Sequence, residues 1–301
     1  MSNNIKIGLL LGIVFLVLVT IFIPQKEKIS TEKKNITHDK TIKQEKSAST
    51  TKTSTETVIG KSVEGRKIKS FTFGTGSTSI LFVGGMHGGY EWNSILLAYD
   101  IIDALENKQI KVPDSVKVHI IPNLNPDGLF AATSLTGKFK ADDIKSNKMH
   151  ISGTGRFNAN NVDLNRNFDC NWKQKSSWKN NLVSAGTKPF SEPESRTLRN
   201  YVNQTKPTAV VFWHSKANKV YASECKNGIL PKTIKLMNVY ADNASYGKVK
   251  KFTAYPITGD AEGWLASINI PAVTVELGSR TNPEFNKNIK GVQAVIDNFQ
   301  E

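Results

Sequence analysis

The sequence predicts an α/β domain, on three observations. Three apolar runs, 79–83, 209–213 and 272–275, are each followed by a polar residue suited to chemistry: His87, His214 and Glu276. Between them lie stretches whose apolar residues recur at helical spacing. Glycine-rich and proline-containing turns separate the two kinds of segment. Strands alternating with helices imply parallel pairing, and parallel strands bring their carboxyl ends to one edge of a sheet.

The elements come in order. Residues 7–23 are nearly all apolar, about long enough to cross a bilayer as a helix. No small-x-small site lies closely after Ile23, so 1–23 reads as an uncleaved membrane anchor, with a cleavable signal peptide as the alternative. Residues 24–57 hold no Phe, Tyr or Trp and are rich in Lys, Ser and Thr. That composition buries too little apolar surface to fold, so the segment reads as a disordered tether. Lys26, Lys28, Lys33 and Lys34 outnumber Lys6, and a simple positive-inside count would keep the large downstream domain in the cytoplasm. Large domains after a first apolar segment translocate largely regardless of flanking charge, so the domain at 58–301 is expected outside.

From Val58 the pattern becomes α/β. Residues 58–74 read as a hairpin turning at Glu64-Gly65. A strand at 79–83, a helix at 91–107 and a strand at 116–121 come next. Asn125-Pro126-Asp127-Gly128 is a turn signal. Ser191 to Glu194 opens a helix with Pro193 in its first turn. A buried strand at 209–213, a short helix at 261–267, a strand at 272–275 and a closing helix at 283–299 complete the domain.

Composition narrows the function. Eight Lys against five acidic residues give the tether +3, and Lys6 adds one, so +10 of the net +14 falls on residues 58–301. Such a charge favours anionic surroundings such as phospholipid or an anionic cell wall. No nucleic-acid motif or Arg-rich stripe is present, which argues against nucleic acid as a partner. Cys170 and Cys225 lack the spacing of a redox or zinc-ribbon motif. Outside the cytoplasm they could form one disulfide, which the sequence leaves open.

The candidate site grows out of the strand ends. Gly84 to Asn93 reads as a glycine-rich turn carrying His87 and Glu91 into the next helix. Of the five histidines, His38 falls in the tether, His119 inside a strand and His150 in a polar loop. A lone histidine after a strand is more often a hydrogen-bonded structural residue than a ligand. Here three polar groups share the same structural position, with Glu91 beside one of them. Two imidazoles and one carboxylate with an open fourth position suit a catalytic zinc ion. Arg156 and Arg166, the latter next to Asn165, add planar guanidinium forks suited to a substrate carboxylate.

In their order along 58–299, these segments resemble the M14 family of zinc metallocarboxypeptidases. The resemblance rests on the His87…Glu91 turn, Asn125-Pro126-Asp127-Gly128, the segment from Val162 through Asp163-Leu164-Asn165-Arg166-Asn167 to Phe168, Trp213-His214-Ser215, and Thr274 to Leu277. It is similar above all to the bacterial branch acting on peptides, including cell-wall γ-D-glutamyl peptides. The resemblance implies a mixed sheet of about eight strands between helices and one zinc ion (Zn2+) held by His87, Glu91 and His214. It implies Glu276 as general base, Asn165 and Arg166 on the substrate's terminal carboxylate, and Arg156 polarising the scissile carbonyl. Tyr255 lies about as far before Glu276 as the family's active-site tyrosine. One departure stands out: the family's His-x-x-Glu is here His87-Gly88-Gly89-Tyr90-Glu91, one residue longer.

The expectation is a membrane-tethered zinc carboxypeptidase acting on a peptide or muropeptide. The alternatives are an amidohydrolase that deacylates small N-acyl amino acids and a non-catalytic wall-binding protein.

Overall fold

A computed structural model describes residues 54–300. The chain opens with β1 (Ser54–Lys61) and β2 (Lys67–Phe73), then β3 (Thr78–Val83), α1 (Trp92–Glu106), β4 (Val116–Ile121), α2 (Pro126–Thr133) and the short α3 (Met149–Ser152). A small hairpin comes next, β5 (Lys175–Trp178) and β6 (Asn181–Ser184). Then come α4 (Pro193–Thr205), β7 (Ala209–Ser215), β8 (Lys219–Ala222), α5 (Pro231–Ala244), β9 (Gly247–Val249), α6 (Ala261–Ser267), β10 (Ala272–Leu277) and α7 (Phe285–Asn298).

Eight strands form one mixed sheet in the order β1-β2-β4-β3-β7-β10-β8-β9, as the family resemblance implies. Its centre, β4-β3-β7-β10, is parallel, and antiparallel strands join at β2 and β8. Parallel strands covered on both faces read as continuous apolar runs, which is why 79–83 and 209–213 stand out in the sequence. Alternate residues serve opposite faces. Ile80, Phe82, Val211, Trp213, Val273 and Val275 pack with α1, α5 and α7. Leu81, Val83, Val210, Phe212 and Ala272 pack with α4 and α6. The result is three layers.

After β3 the chain crosses through α1 to β4 on one side, whereas β7 lies on the other side of β3. The carboxyl ends of β3 and β7 therefore flank the point where strand order reverses, the usual crevice for ligands in such sheets.

Several expectations shift. The anchor at 1–23 and the tether up to residue 53 lie outside the described residues; β1 begins at Ser54, four residues before the expected boundary at Val58. Among the described residues no helix is long and apolar enough to cross a membrane. Asn125 to Gly128 opens a helix rather than a simple turn. The Asn125 side chain accepts a bond from Gly128 N at 2.8 Å and Pro126 occupies the first turn of α2, a standard capping arrangement. His214 and Glu276 lie within β7 and β10, one residue before their ends. Cys170 and Cys225 are bonded, with Cα atoms 6.2 Å apart.

Candidate active site

The turn after β3 sets the geometry. Gly88 has φ +44°, and a Cβ there would lie 2.7 Å from Leu129 N and 2.8 Å from Gly155 O. Only glycine lets the backbone pass so close to α2. Residues Gly88–Glu91 then wind into a single 3-10 turn that starts at His87. This turn absorbs the extra residue of the motif and returns Glu91 to the side of His87.

Glu91 Oε2 lies 3.1 Å from His87 Nδ1 and 2.9 Å from His214 Nδ1, and the two Nδ1 atoms are 3.1 Å apart. All three residues are buried. A tetrahedral zinc site with bonds of 2.0–2.1 Å separates neighbouring ligand atoms by about 3.3 Å. The three donors therefore already stand at nearly the spacing that a small divalent cation requires. Protons could satisfy only part of a triangle made of two facing ring nitrogens and one shared oxygen.

The outer faces of both rings meet carboxylates. His87 Nε2 lies 3.4 Å from Asp163 Oδ1, and His214 Nε2 lies 3.6 Å from Glu262 Oε1. A carboxylate behind one ring nitrogen favours the N–H there and leaves the other nitrogen's lone pair for a metal. These partners are fixed in turn. Asp163 accepts from Arg156 Nε at 2.9 Å and Nη2 at 2.8 Å, and Glu262 accepts from Thr274 Oγ1 at 2.7 Å.

Charge depends on position. Burial alone would raise Glu91, but His87 and His214 hold it well below its ordinary value. Burial likewise opposes ionisation of Asp163, and Arg156 overcomes it. Burial would lower His214, yet Glu91 and Glu262 lift it to about 10. A field that favours a proton so strongly on His214 also favours a divalent cation between the donors. Glu276 goes the other way: burial, then the charge of Glu91, pushes it up to about 7.

Glu276 sits beside His214 in the parallel register of β10 and β7. Among the described residues no hydrogen bond reaches its carboxylate, which lines a cavity of about 770 Å³ with the three donor residues. Arg156, Asn165, Arg166 and Tyr255 line the same cavity, so all eight residues singled out in the sequence meet there. Asn165 Oδ1 accepts from Ala261 N at 2.9 Å. Arg166 is held by Ser177 O, at 3.1 Å from Nε and 3.0 Å from Nη2, and by Asn165 O. Arg156 commits two donors to Asp163 and stacks on Trp178, with its Cζ 4.5 Å from the ring centroid; its Nη1 remains 3.9 Å from Glu91. Tyr255 packs against Phe252 at 4.8 Å.

The family model for peptidase M14, zinc carboxypeptidase, matches residues 42–295. The chain belongs to that family. Among its relatives, γ-D-glutamyl-L-diamino acid endopeptidase 1 of Lysinibacillus sphaericus is 23% identical over 249 residues, covering 75% of this chain and 61% of that protein. Mouse carboxypeptidase M is 37% identical over 123 residues, covering 36% of this chain and 25% of that protein. The chain thus spans less than two thirds of either relative's length. The crystal structure of murein-tripeptide amidase MpaA from Escherichia coli O157 superposes with a TM-score of 0.58 at 22% identity, covering 80% of this chain and 91% of that one.

Several site residues escape sequence reasoning. Asp163 opens the Asp-Leu-Asn-Arg segment, and its buried charge becomes evident only once Arg156 is seen to meet it. Glu262 lies in the first turn of α6, where an acidic residue looks like ordinary helix-end chemistry. Trp178 belongs to β5, too short and polar to register as a strand. Arg280 looks like a partner for Glu276, but its Nη1 lies 3.4 Å from Glu91 and its Cζ 4.1 Å from the centre of the Tyr90 ring.

Proposed function

We propose that the chain is a zinc-dependent peptidase that hydrolyses an amide bond next to a free carboxylate, on a peptide or cell-wall peptide. The observation that carries this reading is the triangle of His87 Nδ1, His214 Nδ1 and Glu91 Oε2, with an unbonded Glu276 beside it in the cavity.

His87, Glu91 and His214 would hold the ion, which when bound would supply Lewis-acid chemistry to the attacking water and the scissile carbonyl. Glu276, its affinity for protons raised by burial, takes the proton of the attacking water and hands it to the leaving amine as the C–N bond breaks. The free Nη1 of Arg156 stabilises negative charge developing on the scissile carbonyl oxygen. Arg166 and the amide nitrogen of Asn165 bind the substrate's terminal carboxylate. Tyr255 closes over the substrate from the loop before α6.

Membrane attachment through 1–23 with the domain outside completes the proposal. The Cys170–Cys225 disulfide supports an oxidising compartment, and the name of the Lysinibacillus relative supports a wall peptide as substrate. One experiment tests the reading: zinc content together with mass-spectrometric digestion of a panel containing α-linked peptides, γ-D-glutamyl peptides and N-acyl amino acids. Zinc near one per chain with cleavage of a peptide is the expected result. Cleavage confined to N-acyl amino acids would make the protein a deacylase, and zinc-free, inert protein would leave only a binding role.

A further inference from the structure

Arg156 has to aim a single N–H at the scissile carbonyl, yet its own hydrogen bonds do not fix it. Its Nε and Nη2 donate at 2.9 and 2.8 Å to the same atom, Asp163 Oδ2. Two bonds that converge on one oxygen form a pivot, whereas a fork placed on both carboxylate oxygens would lock the plane. Nη1, the donor assigned to the carbonyl, lies 3.9 Å from Glu91 Oε1. A guanidinium free to swing on that pivot would close on Glu91 and be lost to the substrate.

The face of Trp178 covers this guanidinium. Arg156 Cζ lies 4.5 Å from the indole centroid, and the centre of the Tyr90 ring is 5.8 Å away. The indole is itself held. It meets Tyr90 edge-to-face at 5.3 Å and Phe157 at 6.2 Å. Its outer edge fits because Gly153 has no Cβ; one there would lie 3.2 Å from Cη2. Trp178 is partly exposed, lines the cavity and packs in neither apolar core. Core packing therefore does not account for it.

The strand that carries Trp178 is anchored to the same aspartate. β5 and β6 form a sheet of their own, and a two-stranded hairpin is marginal without support. Support comes from Asp163 N, which donates to Ser184 O of β6 at 2.9 Å, and from Ser176 Oγ and Thr258 Oγ1, 2.8 Å apart. The contacts close a ring. The Asp163 backbone holds β6, β6 pairs with β5, β5 presents Trp178 to Arg156, and Arg156 returns to the Asp163 side chain. One residue earlier, Ser177 O accepts from Arg166 Nε and Nη2. Adjacent residues of one short strand thus hold both arginines of the proposed site.

We infer that Trp178 is a positioning residue for the reaction, whose ring clamps Arg156 so that Nη1 faces the scissile carbonyl and not Glu91. The inference rests on the peptidase reading and gives the β5–β6 hairpin a part in it. The effect belongs in turnover, because the donor is needed as charge develops on the oxygen and not when substrate first binds.

The test uses zinc-loaded full-length protein and compares Trp178→Leu, Trp178→Phe, Arg156→Gln and the double variant of Trp178→Leu with Arg156→Gln. Kinetics are read on benzoyl-glycyl-L-lysine and L-alanyl-γ-D-glutamyl-L-lysine, with zinc content and melting temperature measured on every preparation. Arg156→Gln should lose about 10²- to 10³-fold in kcat, the range for one oxyanion donor. Trp178→Leu should lose about 5- to 30-fold in kcat, the range of a desolvated cation–π contact, with KM within about threefold of the wild type. Trp178→Phe should recover most of that loss. In the Arg156→Gln background Trp178→Leu should add almost nothing, since the group it acts through is gone. A second readout needs no turnover: the Nε–H signal of Arg156 in nitrogen–proton correlation spectra, identified by its loss in Arg156→Gln. A proton over an aromatic face is shielded, so this signal should move downfield in Trp178→Leu and stay near its place in Trp178→Phe. Unchanged kcat in Trp178→Leu, an equal loss in the Arg156→Gln background, or an unmoved Arg156 signal overturns the assignment. Hydrolysis of neither peptide by zinc-loaded wild type counts against the peptidase reading instead, and the Arg156 signal then decides whether Trp178 holds the guanidinium.

Discussion

His119 and the His87–His214 pair are buried to similar degrees around the same sheet, yet they do opposite things. His119, in β4, is surrounded by hydroxyls: Tyr201 OH and Thr72 Oγ1 lie 2.8 and 3.1 Å from Nδ1, and Ser79 Oγ lies 3.3 Å from Nε2. Each of these partners is neutral, and burial, reinforced by Lys117, lowers its pKa to about 4. It is a neutral pin between β2, β3, β4 and α4. His87 and His214 instead point matching nitrogens at one carboxylate and turn their backs on two others. Burial is common to both regions; carboxylates are not. The chemical identity of the neighbours therefore decides which imidazole is a strut and which belongs to a cation site.

The sharpest way to break this contrast is to remove one histidine from each region. His214→Ala is expected to lose bound zinc and all activity above background, with the fold retained. His119→Ala should keep zinc at wild-type occupancy and lose stability instead. Zinc content and thermal denaturation on both variants check this, and zinc retained by His214→Ala would sink the ligand assignment.

Next in size is Glu276→Gln, which keeps the shape of the side chain but cannot accept a proton. Turnover should fall by about 10²–10⁴ with zinc and substrate affinity nearly unchanged. A folded, zinc-loaded variant with near-normal turnover rules out Glu276 as the base.

The carboxylates behind the rings come third. Asp163→Asn should weaken zinc binding by about 10- to 100-fold, measured by competition with a chelator. Affinity equal to the wild type would mean that Asp163 serves only to hold Arg156.

The last effect belongs to His119 and depends on pH. Its folded pKa, about 4, lies below the ordinary 6.5. Its neutral form therefore supports stability fully above pH 6.5, and that support is lost as pH falls from 6.5 to 4, where the unfolded chain takes up a proton and the folded chain does not. The difference is on the order of 3 kcal/mol. His119→Gln should flatten the slope of melting temperature against pH across that window. An unchanged slope would show that His119 does not govern it.

Much of this arrangement is legible in the sequence, because the central strands are continuous apolar runs and the site residues sit at their ends. The glycine turn, the Asp-Leu-Asn-Arg segment, His214 and Glu276 can all be read directly. Edge elements are harder. Lys219–Ala222 and Gly247–Val249 are short and half polar, and α5 wears its apolar residues on one face only, with Leu236, Met237 and Tyr240 inward. Contacts through space are harder still. Nothing in the local sequence tells Glu262 from a helix-end acid, or shows that Arg280 would bypass Glu276 for Tyr90 and Glu91. The extra residue in the His87…Glu91 motif is reconciled only by the 3-10 turn, a backbone detail that spacing rules do not anticipate.

One pairing in the sheet reaches further than the side chains around it. Glu276 and His214 are neighbours in the ladder of β10 and β7, so the gap between the backbones that carry base and ligand is set by the interstrand repeat of about 4.8 Å. That gap behaves as a machined tolerance and not as an adjustable fit. Repacking of α4, α6 or the cavity wall moves both groups together and leaves their separation intact. Retuning of substrate preference through the surrounding loops can therefore proceed without resetting the chemistry at the centre.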